Sequence, residues 1–255
     1  MKKFVLSVLI TASFLGFFWP FFAQNESSAD FASWFFLAAT PVLVGLVVLL
    51  FSRGELDSKN IAFLGILTAL IAAIRPLGIG AIGIEPMWFA LILASRAMGP
   101  TFGFLLGAMS LSLSALLTGG IGPWLSYQVF AAALIGFGVI VIPQKVRGRI
   151  EIALLALYGI VASGLFGILM DLQFWPWTLG RGTQLSYIPG APISENLSNF
   201  ISYHFLSALA WDVPRAILTA TLIIATGTPI LKALRRARQK AAFLTEAEFR
   251  SLTNA

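Results

Sequence analysis

Lys and Arg fall in alternate gaps between long apolar runs, and this spacing constrains the chain's fold more than any other feature. A membrane-crossing helix needs roughly 20 mainly apolar residues, and cytoplasmic loops carry the excess of Lys and Arg. With apolar residues at 58% of 255 and charged residues at only 11%, the chain is an all-α integral membrane protein by composition alone. The net charge of +6 lies mostly beside the apolar runs, where it sets orientation and meets anionic lipid heads. No aromatic-interleaved basic stripe points to nucleic acid. Cysteine is absent, which excludes disulfides, thiolate metal sites and a cysteine nucleophile.

Eight spans are expected. Residues 4–22 follow Lys2 and Lys3; the run is long and lacks a small-x-small cleavage pattern, so it reads as a retained helix rather than a signal peptide. Residues 34–52 form the second span, and a polar link covers 53–60. The third, 61–74, stops at Arg75 and Pro76. A Gly-rich stretch, 77–84, reads as an irregular loop or re-entrant turn. The short run 86–97 returns inward, and 101–118, 124–142 and 150–170 follow. Residues 172–198 read as a long polar and aromatic segment, and the last span falls within 199–231. With the N-terminus inside, Lys2, Lys3, Arg53, Lys59, Arg96, Lys145, Arg147, Arg149 and the cluster from Lys232 to Lys240 all become cytoplasmic. Arg181 is then the clear outer-loop cation. Both termini lie inside. Residues 1–60 read as a two-helix extension with its linker, 61–240 as a six-helix core and 241–255 as a cytoplasmic tail.

Five charges belong to no cytoplasmic loop: Arg75, Glu85, Asp171, Asp212 and Arg215. All fall near the outer side under this topology. Charges there are costly unless paired or wet, so the group marks either a mutually neutralised cluster that ties helices together or a ligand site. Asp212 and Arg215 are three residues apart and share a helix face. Arg215 stands sixteen steps, roughly 24 Å of helix, before Leu231. Trp88, Trp124, Tyr127, Trp175, Trp177, Tyr187, Tyr203 and Trp211 are expected near the same face. Many of them suit an interfacial aromatic belt, and some suit the wall of a site. Gly119, Gly120 and Gly122 with Pro123 make a tight outer turn that reverses the chain or brings backbone donors to a ligand.

On the third span, Gly65, Ala69 and Ala73 at i, i+4 and i+8 form one smooth face that lets another helix approach, within the chain or from a partner. His204 is the only histidine, so no two-histidine metal site forms, and it reads as an interfacial or packed residue. No HExxH, GxSxG or phosphate-binding loop is present. The sequence calls for no cofactor or metal.

The core from about Ile61 to Arg238 resembles the substrate-binding S component of energy-coupling factor (ECF) transporters. The resemblance rests on IRPLGIGAIGIEPMWF, LTGGIGPWLSYQVFAAALIGFGVIVIP, FWPW with PGAPISENL, and WDVPRAILTATLIIATGTPILKALRRA. Ala69 and Ala73 look like the AxxxA face by which S components meet the transmembrane T component. The resemblance implies a six-helix protein that captures a vitamin outside the cell membrane, with a T component and two cytoplasmic ATPases driving uptake. The two N-terminal helices depart from a minimal S component. Within the superfamily the chain looks closest to members assigned to cobalamin, and segment 172–198 is long enough to cover a large ligand. Riboflavin or another vitamin is the near alternative. The site expected from the isolated charges and outer aromatics comprises Arg75, Glu85, Trp88, Trp124, Tyr127, Asp171, Trp211, Asp212 and Arg215. Two other classes stay open: an intramembrane enzyme acting on a lipid head group through Glu85, Asp171 or Asp212, and an assembly protein without a ligand.

Overall fold

The computed structural model describes residues 2–22, 58–78, 80–122, 124–179 and 182–243. The expected span at 34–52, most of its linker, Arg181 and the tail beyond Phe243 lie outside the described residues. Those described are helical and contain no strand. The helices are α1 (Lys2–Phe17), α2 (Ser58–Ile74), α3 (Met87–Met98), α4 (Pro100–Thr118), α5 (Leu125–Gly138), α6 (Gly148–Thr178), α7 (Ile193–Ser207) and α8 (Leu209–Phe243). Short 3-10 turns cover Trp19–Phe21, Arg75–Gly78 and Val139–Val141. Among the described residues, four stretches are long and apolar enough to cross a membrane: Lys59–Gly78, Pro100–Thr118, Gly148–Thr178 and Leu209–Gln239. The chain is a membrane-embedded helical protein.

At 12 residues α3 is only about 18 Å long. It is buried on nearly every side, which explains why its sequence is apolar all round. Around it the helices pack in two groups. In one, α4 lies against both α5 and α2; in the other, α8 lies against both α6 and α3. Between α4 and α5 the backbones nearly touch, because a methyl at Gly103 would overlap the Gly136 carbonyl, and the reverse holds at Gly136. Small residues allow such close crossings where lipid supplies no hydrophobic drive for association.

Two boundaries differ from the sequence expectation. Segment 172–198 is helical at both ends, since α6 continues through Pro176 to Thr178 and α7 begins at Ile193. Pro176 sits in the last turn, where it interrupts only one bond of the ladder. The region 199–231 is also two helices. α7 ends at Ser207, and the Ala208 N–H closes it on the His204 carbonyl at 2.8 Å before α8 begins.

The N-terminal segment joins the same core. Phe17 is 1% exposed and packs edge-on against Tyr127 of α5, 5.8 Å between centroids. Beyond it, Trp19 meets Trp177 and Tyr187, and Phe21 meets Trp175 and Phe200.

Opposite ends of the bundle carry different ion clusters. At one end, Arg96 and Glu151 are paired at 2.7 Å with side chains only 1% and 2% exposed. Arg235 donates to the same Glu151 oxygen at 2.6 Å, and Arg96 also donates to the carbonyls of Ile142, Pro143 and Val146. The expected loop cation Arg96 is therefore a buried tie between α3, α6 and α8. The other end holds Arg75, Glu85 and Arg215.

Candidate functional site

Glu85 lies in the connection between α2 and α3. That connection is a chain of turns: Ala81 N–H donates to the Gly78 carbonyl at 3.1 Å, and Ile84 N–H to the Ala81 carbonyl at 3.2 Å. Gly83, at φ +67°, adopts a conformation that L side chains rarely reach, and a methyl there would run into the Trp211 carbonyl. The turn is thereby seated directly on the start of α8.

From that seat, Glu85 reaches α8. Its Oε2 accepts from Arg215 Nε at 2.5 Å and from Trp88 Nε1 at 3.0 Å. Arg215 Nη1 donates to Asp212 Oδ1 at 2.7 Å and to the Ser163 carbonyl at 3.3 Å. The guanidinium stands 4.9 Å from the centroid of Phe166, whose ring packs 4.6 Å from Trp88. Buried charge is tolerated when it is paired, and Arg215 is paired with two carboxylates through Nε and Nη1. Asp212 sits in the first turn of α8, where the helix dipole favours a carboxylate. It lies so close to α6 that a methyl at Gly167 would overlap its oxygens.

Above this network is an open cavity of about 460 Å³. One wall comes from the end of α2, α4 and the start of α5: Arg75, Pro76, Thr118, Gly120, Trp124 and Gln128. The other comes from the α2–α3 connection, including Glu85, and from Trp211 of α8. Arg75 is held loosely by neutral groups, with Nη1 3.4 Å from Ser114 Oγ and Nη2 3.5 Å from Gln128 Oε1. Glu85, of opposite charge, lines the same cavity.

Four of the nine expected site residues thus line the cavity: Arg75, Glu85, Trp124 and Trp211. Trp88, Asp212 and Arg215 form its buried support. Tyr127 does not line it; the ring is in the core against Phe17. Asp171 does not line it either. Its Oδ2 lies 2.8 Å from His204 Nδ1 and 2.9 Å from Ser207 Oγ, tying α6 to α7. None of the described residues of 172–198 is on the lining. Gln128 and Ser114 escaped the sequence reading, although each is a polar residue inside an apolar helix. Gln128 also lies one turn after Trp124, a spacing that places both on one face.

The smooth face of α2 is separate from the cavity. Gly65, Ala69 and Ala73 are exposed among the described residues, as are Ile66 and Leu70 beside them. No family model matches the chain, and neither does any curated protein or solved structure.

Proposed function

We propose that this chain is the substrate-specific membrane subunit of an ECF-type importer, capturing a vitamin at the outer face of the cell membrane. The observation that carries this reading is the open cavity, with two tryptophans and opposed charges on its walls, at the end of the bundle away from the Arg96–Glu151–Arg235 cluster. The loop-charge bias makes the Arg96 end cytoplasmic, both termini inside, and the cavity outward-facing. The exposed face of Gly65, Ala69 and Ala73 supports docking of a transmembrane T component, and two cytoplasmic ATPases would supply the energy. Cobalamin is the vitamin favoured by the sequence resemblance. A riboflavin-sized vitamin is the second reading, and the cavity volume favours it, because pockets of about 300–1,000 Å³ enclose drug-sized ligands.

An enzyme acting on lipid head groups fits less well. Glu85 and Asp212 are both paired with Arg215, and Asp171, paired with His204, is not on the cavity lining.

The deciding experiment is a mass spectrum of small molecules bound to the purified protein, followed by vesicle uptake with and without the partner ATPases. A bound vitamin and ATP-dependent uptake are expected. Turnover of a lipid without partners would replace the reading with the enzymatic one. Single cysteines at Ser58, Gln144 and Gln184 test the orientation: in intact cells, an impermeant thiol reagent should label only position 184.

A further inference from the structure

We infer that the cavity takes a flat heterocycle without net charge, one ring edge of which offers both hydrogen-bond donors and acceptors. This rests on the vitamin-capture reading and narrows its substrate.

The first argument is charge balance. Around the cavity two guanidiniums, Arg75 and Arg215, face two carboxylates, Glu85 and Asp212. Arg215 touches both carboxylates, and Arg75 lines the same cavity as Glu85. Asp171 stands apart with His204 and Ser207. The four groups sum to zero without a ligand. An anion entering beside Arg75 would leave the carboxylates in excess in a partly dry site, and a cation beside Glu85 would do the reverse. A neutral ligand preserves the balance.

The second argument is the chemistry of the walls. Arg75 offers N–H donors at distances long enough to be redirected, since its bonds to Ser114 and Gln128 are 3.4 and 3.5 Å. Gln128 adds an amide, and Glu85 faces them from the opposite wall with acceptor oxygens. A site that mixes donors and acceptors selects a ligand edge with the complementary mixture, because an unmatched buried polar group is costly. Trp124 and Trp211, 39% and 49% exposed, stand at the rim with ring surface free to stack.

The third argument is size. A cavity of about 460 Å³ suits a drug-sized molecule. A corrinoid is far larger.

The test is equilibrium titration of the purified full-length protein in detergent with three probes: riboflavin, riboflavin 5′-phosphate and cyanocobalamin. Riboflavin should bind at one saturable site. The phosphate should bind at least tenfold more weakly, and cyanocobalamin should show no saturable binding. Arg75→Gln should weaken riboflavin binding at least tenfold in protein that remains monodisperse. If that variant does not fold, Arg75→Lys, which keeps the charge but not the planar fork, should show the same loss. Equal or tighter binding of the phosphate, or failure of riboflavin to bind, overturns the inferred ligand class. Saturable binding of cyanocobalamin also overturns it, while leaving vitamin capture intact. Vitamin capture itself falls on the uptake assay, where absence of ATP-dependent import of any bound compound would count against it whichever probe binds.

Discussion

Arg215 Nε donates to Glu85 Oε2 at 2.5 Å, joining residues 130 positions apart in the chain. This bond fixes the α2–α3 turn on α8 and so sets one wall of the cavity. Asp212 shares the same guanidinium. Arg215→Met leaves two carboxylates without their cation, and breaking buried pairs costs about 3–5 kcal/mol. The thermal midpoint in detergent should fall by many degrees. Combining Arg215→Met with Glu85→Gln and Asp212→Asn should recover most of the loss. A triple variant no more stable than Arg215→Met would show that the charges are not what the single change strands.

Trp124 and Tyr127 are near neighbours in sequence with opposite surroundings. Trp124 is at the rim, whereas Tyr127 is 2% exposed. Trp124→Ala should weaken riboflavin binding about tenfold, within the range of a lost stacking contact, and leave the thermal midpoint unchanged. Tyr127→Ala should destabilise by about 3–5 kcal/mol, as truncation of a buried aromatic ring does. Thermal melts with binding measured on the monodisperse fraction separate the two. Equal stability of both variants would contradict the burial of Tyr127.

Two glycines of α6 make a matched pair. A methyl at Gly167 would overlap the Asp212 carboxylate, whereas one at Gly164 meets nothing within 4 Å. Gly164→Ala should be neutral or stabilise by up to about 1 kcal/mol through reduced backbone freedom in the unfolded chain. Gly167→Ala should destabilise by about 1–3 kcal/mol through overpacking. Comparable melts for the two variants would argue against the close α6–α8 crossing.

The exposed face of α2 predicts a functional separation. Ala69→Leu or Ala73→Leu adds bulk where a partner helix would approach. ATP-driven uptake should fall at least tenfold, while ligand binding and thermal midpoint of the isolated protein stay the same. Loss of binding and uptake together would mean that the face packs within the chain.

The cavity's charged residues were legible because charge is rare in apolar sequence. Arg75, Glu85, Asp212 and Arg215 stand out wherever the helices fall, and the i, i+3 spacing of the last two predicts their pairing. The pairing of Glu85 with Arg215 was not legible, since no local pattern connects residues so far apart. Tyr127 was misplaced because helix height places a residue near one face of the membrane without fixing whether it points inward. The break at Ala208 carries no Gly or Pro, so nothing in the local sequence ends α7 there. Arg96 reads as a cytoplasmic loop charge, although tertiary packing buries it against Glu151.

α2 carries the exposed small-residue face along its length, and Arg75 follows directly at its end. Under the proposed docking, the helix would be both handle and jaw. Among the described residues Arg75 has long bonds to neutral groups, while Glu85 is anchored to α8. A partner that grips α2 and tilts it would change the gap between Arg75 and Glu85 without touching the cavity. Release of cargo would then need no contact with the cargo itself, and the same grip would serve any ligand that fits between the jaws.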